Sequence, residues 1–125
     1  MLHTFAVLGG DARQHYLAAL LTASGFTVHT FAVPELQDTA ASLEETVSQI
    51  DAVCLPTPAV TSGAITGLPG LTPARLLSFL PESAVVFGGG LGAFRTLLQR
   101  TKTPYYDILQ NSALATQNAS LTAEG

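Results

Sequence analysis

Short apolar runs of strand type alternate along the chain with stretches in which apolar residues recur at helical spacing. Thr4 to Leu8 is rich in β-formers and ends at the pair Gly9-Gly10, predicting a first strand followed by a tight turn. From Ala12 to Ser24, Tyr16, Leu17, Leu20 and Leu21 recur with a helical period, and Gly25 supplies a C-terminal stop. Thr27 to Phe31 alternates polar with apolar and reads as a second strand. Pro34 to Ser48 is polar and acidic, with weak helical character and no clear core face. Ala52 to Leu55 is a fully apolar third strand, closed by Pro56-Thr57-Pro58. Ala59 to Gly70 carries three glycines and a proline and reads as a long loop. Loops of that length are more often functional than idle.

Thr72 as N-cap and Pro73 at the first helical position start a helix that runs to about Leu80. Ala84 to Phe87 is a fourth strand, ending in Gly88-Gly89-Gly90. Leu91 to Arg100 places Phe94, Leu97 and Leu98 on one helical face, and Tyr105-Tyr106-Asp107 forms a short fifth strand. Ser120 to Glu124 resembles the opening of a further helix. Strands separated by helices imply a parallel sheet with helices on both faces. About five strands joined by short crossovers predict a three-layer α/β domain of flavodoxin-like or Rossmann-like type.

Composition narrows the function. The 125 residues fit one domain, and 47% are hydrophobic, with a mean hydropathy of +0.36. Only 11% are charged, against about 25% in ordinary soluble domains, which predicts surface covered by another domain or protomer. The net charge of −4 and a pI near 5.1 argue against nucleic acid as a partner. Apolar runs such as Tyr16 to Leu21 fall far short of the roughly 20 residues of a membrane span, and no signal peptide is visible. A cytoplasmic location is the default expectation. Cys54, the only cysteine, lies in an apolar run and reads as a small buried hydrophobe.

The candidate chemistry gathers at Gly9-Gly10-Asp11-Ala12-Arg13-Gln14. Ligands of α/β proteins bind at the carboxyl ends of strands, where the following turn and helix N-terminus expose N–H groups. A dinucleotide fingerprint is absent: Gln14 stands where a third glycine is needed, and Phe31-Ala32-Val33 lacks the acidic residue expected after the second strand. Asp11 suits a helix cap. Arg13 admits two readings, a surface ion pair with Asp11 or a contact for an anionic ligand such as a carboxylate. Gly88, Gly89 and Gly90 either serve a turn or admit a ligand to the backbone. In the predicted sheet order these loops and Pro56-Thr57 line one crevice. His3, His15 and His29 are scattered, so no metal site is expected, and no hydrolytic Gly-x-Ser-x-Gly is present.

The run Leu8 to Gln14 resembles the opening of the dipicolinate synthase A-protein family, where a first strand enters a Gly-Gly-Asp-Ala-Arg-Gln turn. The likeness continues through Ile50 to Pro56, Leu71-Thr72 to Arg75, Val86 to Gly90 and Asn118 to Gly125. The resemblance implies a bacterial, sporulation-linked oxidoreductase. Its A component works with a flavoprotein-like B component in oxidising a dihydrodipicolinate precursor to pyridine-2,6-dicarboxylate. It also implies two domains, with NAD(P) bound by a second, Rossmann domain that the present 125 residues do not include. On that basis the chain is expected to be the N-terminal, substrate-side domain, inactive as a dehydrogenase and without cofactor by itself. The implied site is a small-dicarboxylate crevice lined by Gly9, Gly10, Asp11, Arg13, Pro56, Thr57, Gly88, Gly89 and Gly90. Thr122 and Glu124 would lie on the link to the cofactor domain, where they would touch the cofactor ribose or orient the hinge. The implied partners are the dipicolinate synthase B component and further copies of the chain. Two alternatives stay open: an interaction module that docks the B component or dimerises, and a free-standing flavodoxin-like ligand domain.

Overall fold

β-Branched and aromatic runs become strands, and the segments between them fold back across the sheet. In the computed structural model, which describes residues 2–107, β1 (Thr4–Leu8) leads into α1 (Ala12–Ala23) and β2 (Thr27–Phe31). Then come α2 (Leu43–Val47), β3 (Ala52–Cys54), β4 (Val60–Thr61), β5 (Ala64–Ile65), α3 (Pro73–Phe79), β6 (Val85–Gly88), α4 (Ala93–Arg100) and β7 (Tyr105–Asp107). Five strands form one parallel sheet in the order β2-β1-β3-β6-β7, the doubly wound order expected from the sequence.

The alternation along β1 explains both layers of the core. Ala6 and Leu8 face one way and join Val53, Leu55 and Val86 beneath Val47 of α2, Leu76 of α3 and Phe94 and Leu98 of α4. Phe5 and Val7 face the other way and join Ala52, Cys54 and Val33 beneath Ala18 of α1. Strands buried on both faces read as continuous apolar runs, as β1 and β3 do.

One expectation is corrected. The segment Ala59 to Gly70 is more than a loop: β4 and β5 pair antiparallel, Val60 with Ile65 and Thr61 with Ala64. Ser62 and Gly63, at φ 53° and 80°, make the two-residue turn between them. Ile65, buried in the core, anchors this hairpin against the domain. The polar stretch Pro34 to Ser48 yields only the short α2. Its start is capped by Ser42, whose Oγ accepts from Glu45 N (3.2 Å) and donates to Glu45 Oε1 (3.3 Å). On α1 the apolar residues do not all face inward. Gln14 and Ala18 are buried, Leu17 and Leu21 are half-buried, and Tyr16 and Leu20 remain 70% and 52% exposed.

The carboxylate of Asp51 ties the start of β1 to the start of β3. Its Oδ2 accepts from His3 N and Thr4 N at 2.9 Å each, while Asp51 N donates to Thr4 O at 2.8 Å. The bond from Thr4 N, reinforced by that from His3 N, holds the Asp51 carboxyl below its ordinary value of 3.8. A carboxylate with a depressed folded-state pKa contributes stability that is complete above the unfolded value and is lost as pH falls through the folded value. Thermal melts should therefore show a stability loss beginning as pH approaches 4 and continuing below it. Asp51→Asn should make that acid limb shallower. An unchanged limb would mean that this carboxylate is not linked to folding.

Candidate functional site

The first turn of α1 is built by Asp11. Its Oδ1 accepts from Arg13 N at 2.9 Å, which caps the helix. The same carboxylate takes the Arg13 guanidinium edge-on: Nε reaches Oδ1 at 3.2 Å and Nη2 reaches Oδ2 at 2.9 Å. Arg13 Nη2 also donates to Thr57 O at 2.8 Å, so the guanidinium bridges the turn after β1 to the loop after β3. Hydrogen bonding to Arg13 holds the Asp11 carboxyl below its ordinary range, and the same contact raises the already high pKa of Arg13. Both side chains remain largely exposed, 69% for Arg13 and 58% for Asp11. Capping and ion pairing thus account for Asp11 and for two of the three guanidinium nitrogens. The third, Nη1, has no partner among the described residues and lies at the carboxyl edge of the sheet.

Around this pair the chain closes in on itself. Gly9 is buried at φ +54°, and a Cβ there would sit 2.5 Å from Thr66 O. The close approach that this glycine permits is made by the strap after β5. A Cβ on Gly10 would meet Gln14 Cγ at 2.5 Å and Pro56 Cβ at 2.8 Å. Across the edge, a Cβ on Gly89 would meet Thr57 Oγ1 at 2.6 Å, and Gly89 O accepts from Ala59 N at 2.7 Å. Gly88 is a buried residue of β6, and Gly90 follows it at the rim. Gly9, Gly10, Asp11, Arg13, Pro56, Thr57 and Gly88 to Gly90 are therefore gathered along one edge, together with the hairpin strap. Thr122 and Glu124 lie outside the described residues.

Two residues that sequence reasoning did not place hold the edge together. Gln14 is buried on the inner face of α1, and its Nε2 donates to Leu8 O at 2.8 Å and Cys54 O at 3.0 Å. It clamps the last carbonyls of the two central strands. Its signal was its spacing, one helical turn before the inward-facing Ala18. Asp107 ends the outer strand β7 and is also buried. Its carboxylate accepts from Gly90 N and Leu91 N, both at 3.2 Å. Those N–H groups are thereby satisfied within the chain, so the Gly88–Gly90 turn is not an open anion nest. Nothing in the sequence marks Asp107, because its partners lie in a different loop.

The turn does not fit a dinucleotide. Gln14 fills the space between helix and strand that a third glycine would leave free, and Thr66 occupies the approach to Gly9. No group of three His, Cys, Asp or Glu side chains among the described residues is placed to hold a metal ion. The Cys54 thiol is pushed up to about 12 by burial, which keeps it neutral and unreactive. No helix of the described residues is long and apolar enough to cross a membrane. Two grooves lie away from this edge. One of about 480 Å³ separates α1 from β2, beside His15, Thr22 and Leu36, and another of about 350 Å³ runs between Leu43 and Arg75.

Comparison with known proteins agrees with this architecture. Residues 4–109 match the family described as the N-terminal domain of the dipicolinate synthase A protein. Two solved structures share the fold at 21% sequence identity. Dipicolinate synthase, A chain, from Bacillus subtilis aligns with a TM-score of 0.66, covering 98% of this chain and 48% of that one. Its counterpart from Bacillus halodurans aligns with a TM-score of 0.70, covering 98% and 46%. The chain thus spans about half the length of these structures. No curated protein matches the sequence.

Proposed function

The chain belongs to the family of dipicolinate synthase A-protein N-terminal domains, and from that premise we propose that its carboxyl edge receives a small dicarboxylate. The reading follows the family: the whole protein would take part in oxidising dihydrodipicolinate to dipicolinate in sporulating bacteria, within the cytoplasm. NAD(P) would be held by a separate domain, and the B component of the synthase would act as partner. The observation that carries the proposal is the posture of Arg13. Asp11 and Thr57 O fix its guanidinium through Nε and Nη2, leaving the two N–H groups of Nη1 as donors for a carboxylate. The fixed fork reduces the side-chain entropy that ligand binding would otherwise have to remove. Gly10 and Pro56 flank the same edge.

Calorimetric titration with pyridine-2,6-dicarboxylate tests this reading. Arg13→Ala should weaken binding by about tenfold, as expected for losing one charge-assisted contact at a partly exposed site. Binding that ignores the substitution would sink the substrate-side assignment. A second reading, an interaction module that docks the B component or another copy of the chain, draws on the exposed Tyr16 and Leu20 of α1. It predicts that Arg13→Ala leaves ligand behaviour unchanged, whereas charged substitutions at Tyr16 and Leu20 alter assembly in sedimentation.

A further inference from the structure

Gln14 carries an atom that the clamp does not use. Its amide nitrogen has two hydrogens, and both go to backbone carbonyls, Leu8 O and Cys54 O. Two acceptors on one side fix the orientation of the amide, because an oxygen placed there would face two other oxygens. The amide oxygen Oε1 is therefore turned away from these carbonyls, and no described residue donates to it. It is not sealed in the core either. Every fully buried side-chain nitrogen or oxygen among the described residues has a hydrogen-bond partner, so an oxygen without one reaches the solvent boundary. The neighbours of Gln14 locate that boundary. Leu8 O and Cys54 O are the last carbonyls of β1 and β3, and Gly10 lies directly against Gln14 Cγ. The residue as a whole retains only 5% exposure, so its free acceptor belongs to an otherwise buried group, next in sequence to Arg13.

We propose that Gln14 Oε1 is the hydrogen-bond acceptor of this edge and takes an N–H or O–H group of the ligand whose carboxylate Arg13 holds. This inference rests on the dicarboxylate reading above and sharpens it. The favoured ligand is a carboxylate with a hydrogen-bond donor on its ring, in preference to a donor-free aromatic acid. The physical basis is asymmetric. A ligand lacking the donor would cover Oε1 without replacing its water, leaving an unpaired acceptor, whereas a donor-bearing ligand restores the bond. Gln14 then has two functions in one amide: its nitrogen end positions the strand ends and its oxygen end reads the ligand.

The test compares three probes by calorimetry on the chain. Piperidine-2,6-dicarboxylate carries ring N–H, pyridine-2,6-dicarboxylate has no donor at neutral pH, and N,N-dimethylpiperidinium-2,6-dicarboxylate keeps the ring charge without N–H. The N–H ligand should bind about tenfold more tightly than either of the others, the loss expected for one unpaired acceptor. Gln14→Met should erase this preference. Equal affinities in the unsubstituted chain overturn the proposal, whether or not Gln14→Met folds, and so does a preference that survives in Gln14→Met. Tight binding of the dimethyl ligand would assign the preference to charge and overturn it too. If all three ligands depend on Arg13 yet are not discriminated, the dicarboxylate reading stands and the role of Gln14 falls. If none depends on Arg13, both fall.

Discussion

Gly9→Ala should destabilise the domain by about 2–5 kcal/mol. Left-handed backbone costs a residue with a Cβ about 1–2 kcal/mol, and forcing a methyl into occupied space adds about 1–3 kcal/mol. Both apply here, because φ is +54° and the new Cβ would stand 2.5 Å from Thr66 O, a backbone atom that cannot turn aside as a flexible side chain could. The strap between β5 and α3 would have to lift from the β1–α1 turn. Gly63→Ala is the matched control: φ there is +80°, with nothing within 4 Å of the added methyl. It should cost only the backbone part, about 1 kcal/mol. Denaturant melts of the two variants decide the point. Equal losses would mean that the strap does not press on Gly9.

Asp107→Ala should be comparably severe, at about 2–4 kcal/mol. The carboxylate receives Gly90 N and Leu91 N, Leu91 is fully buried, and buried donors left without a partner carry their desolvation penalty. For a domain of this size each kcal/mol lowers the melting temperature by roughly 4 °C. Asp107→Asn keeps one acceptor oxygen and should recover part of the loss. Asp107→Ala should also loosen the turn after β6, and amide hydrogen exchange at Gly90 and Leu91 should rise more than at Val53. Uniform exchange across all three positions would contradict a local anchoring role.

The strands were the most legible part of the chain. β1, β2 and β7 begin and end at the residues the sequence predicts: β1, buried on both faces, is an uninterrupted apolar run, whereas the edge strand β2 shows alternation. Thr72 and Pro73 marked the start of α3 through local chemistry, and Thr72 Oγ1 indeed accepts from Arg75 N. The β4–β5 hairpin escaped because four paired residues are too few for a periodic signal. The outward Tyr16 and Leu20 escaped because α1 is apolar over much of its circumference, so its sequence does not say which side faces the sheet.

At the edge of the sheet, local rules found the turn but not its ties. Asp11 as a cap follows from its position alone. The bond from Arg13 to Thr57 O spans 44 residues, and that from Gln14 to Cys54 O spans 40. Contacts of that range depend on which strands become neighbours, which is a property of topology and not of the motif. The sequence predicts openings for a ligand at Gly9 and Gly89, yet Thr66 and Thr57 of the same chain stand against them. A glycine tells that something comes close without telling what.

The tie between Asp107 and the turn at Gly90 also sets an order of assembly. The chain emerges from the ribosome N-terminus first, so β1, β2 and β3 can pair while β7 is still unmade. During that interval the turn after β6 has no carboxylate to hold it. Only when residue 107 leaves the exit tunnel can β7 dock and its carboxylate reach the turn. Anchoring of the Gly90 turn is thereby deferred to β7, although Asp11 and Arg13 of the same edge are among the first residues synthesised.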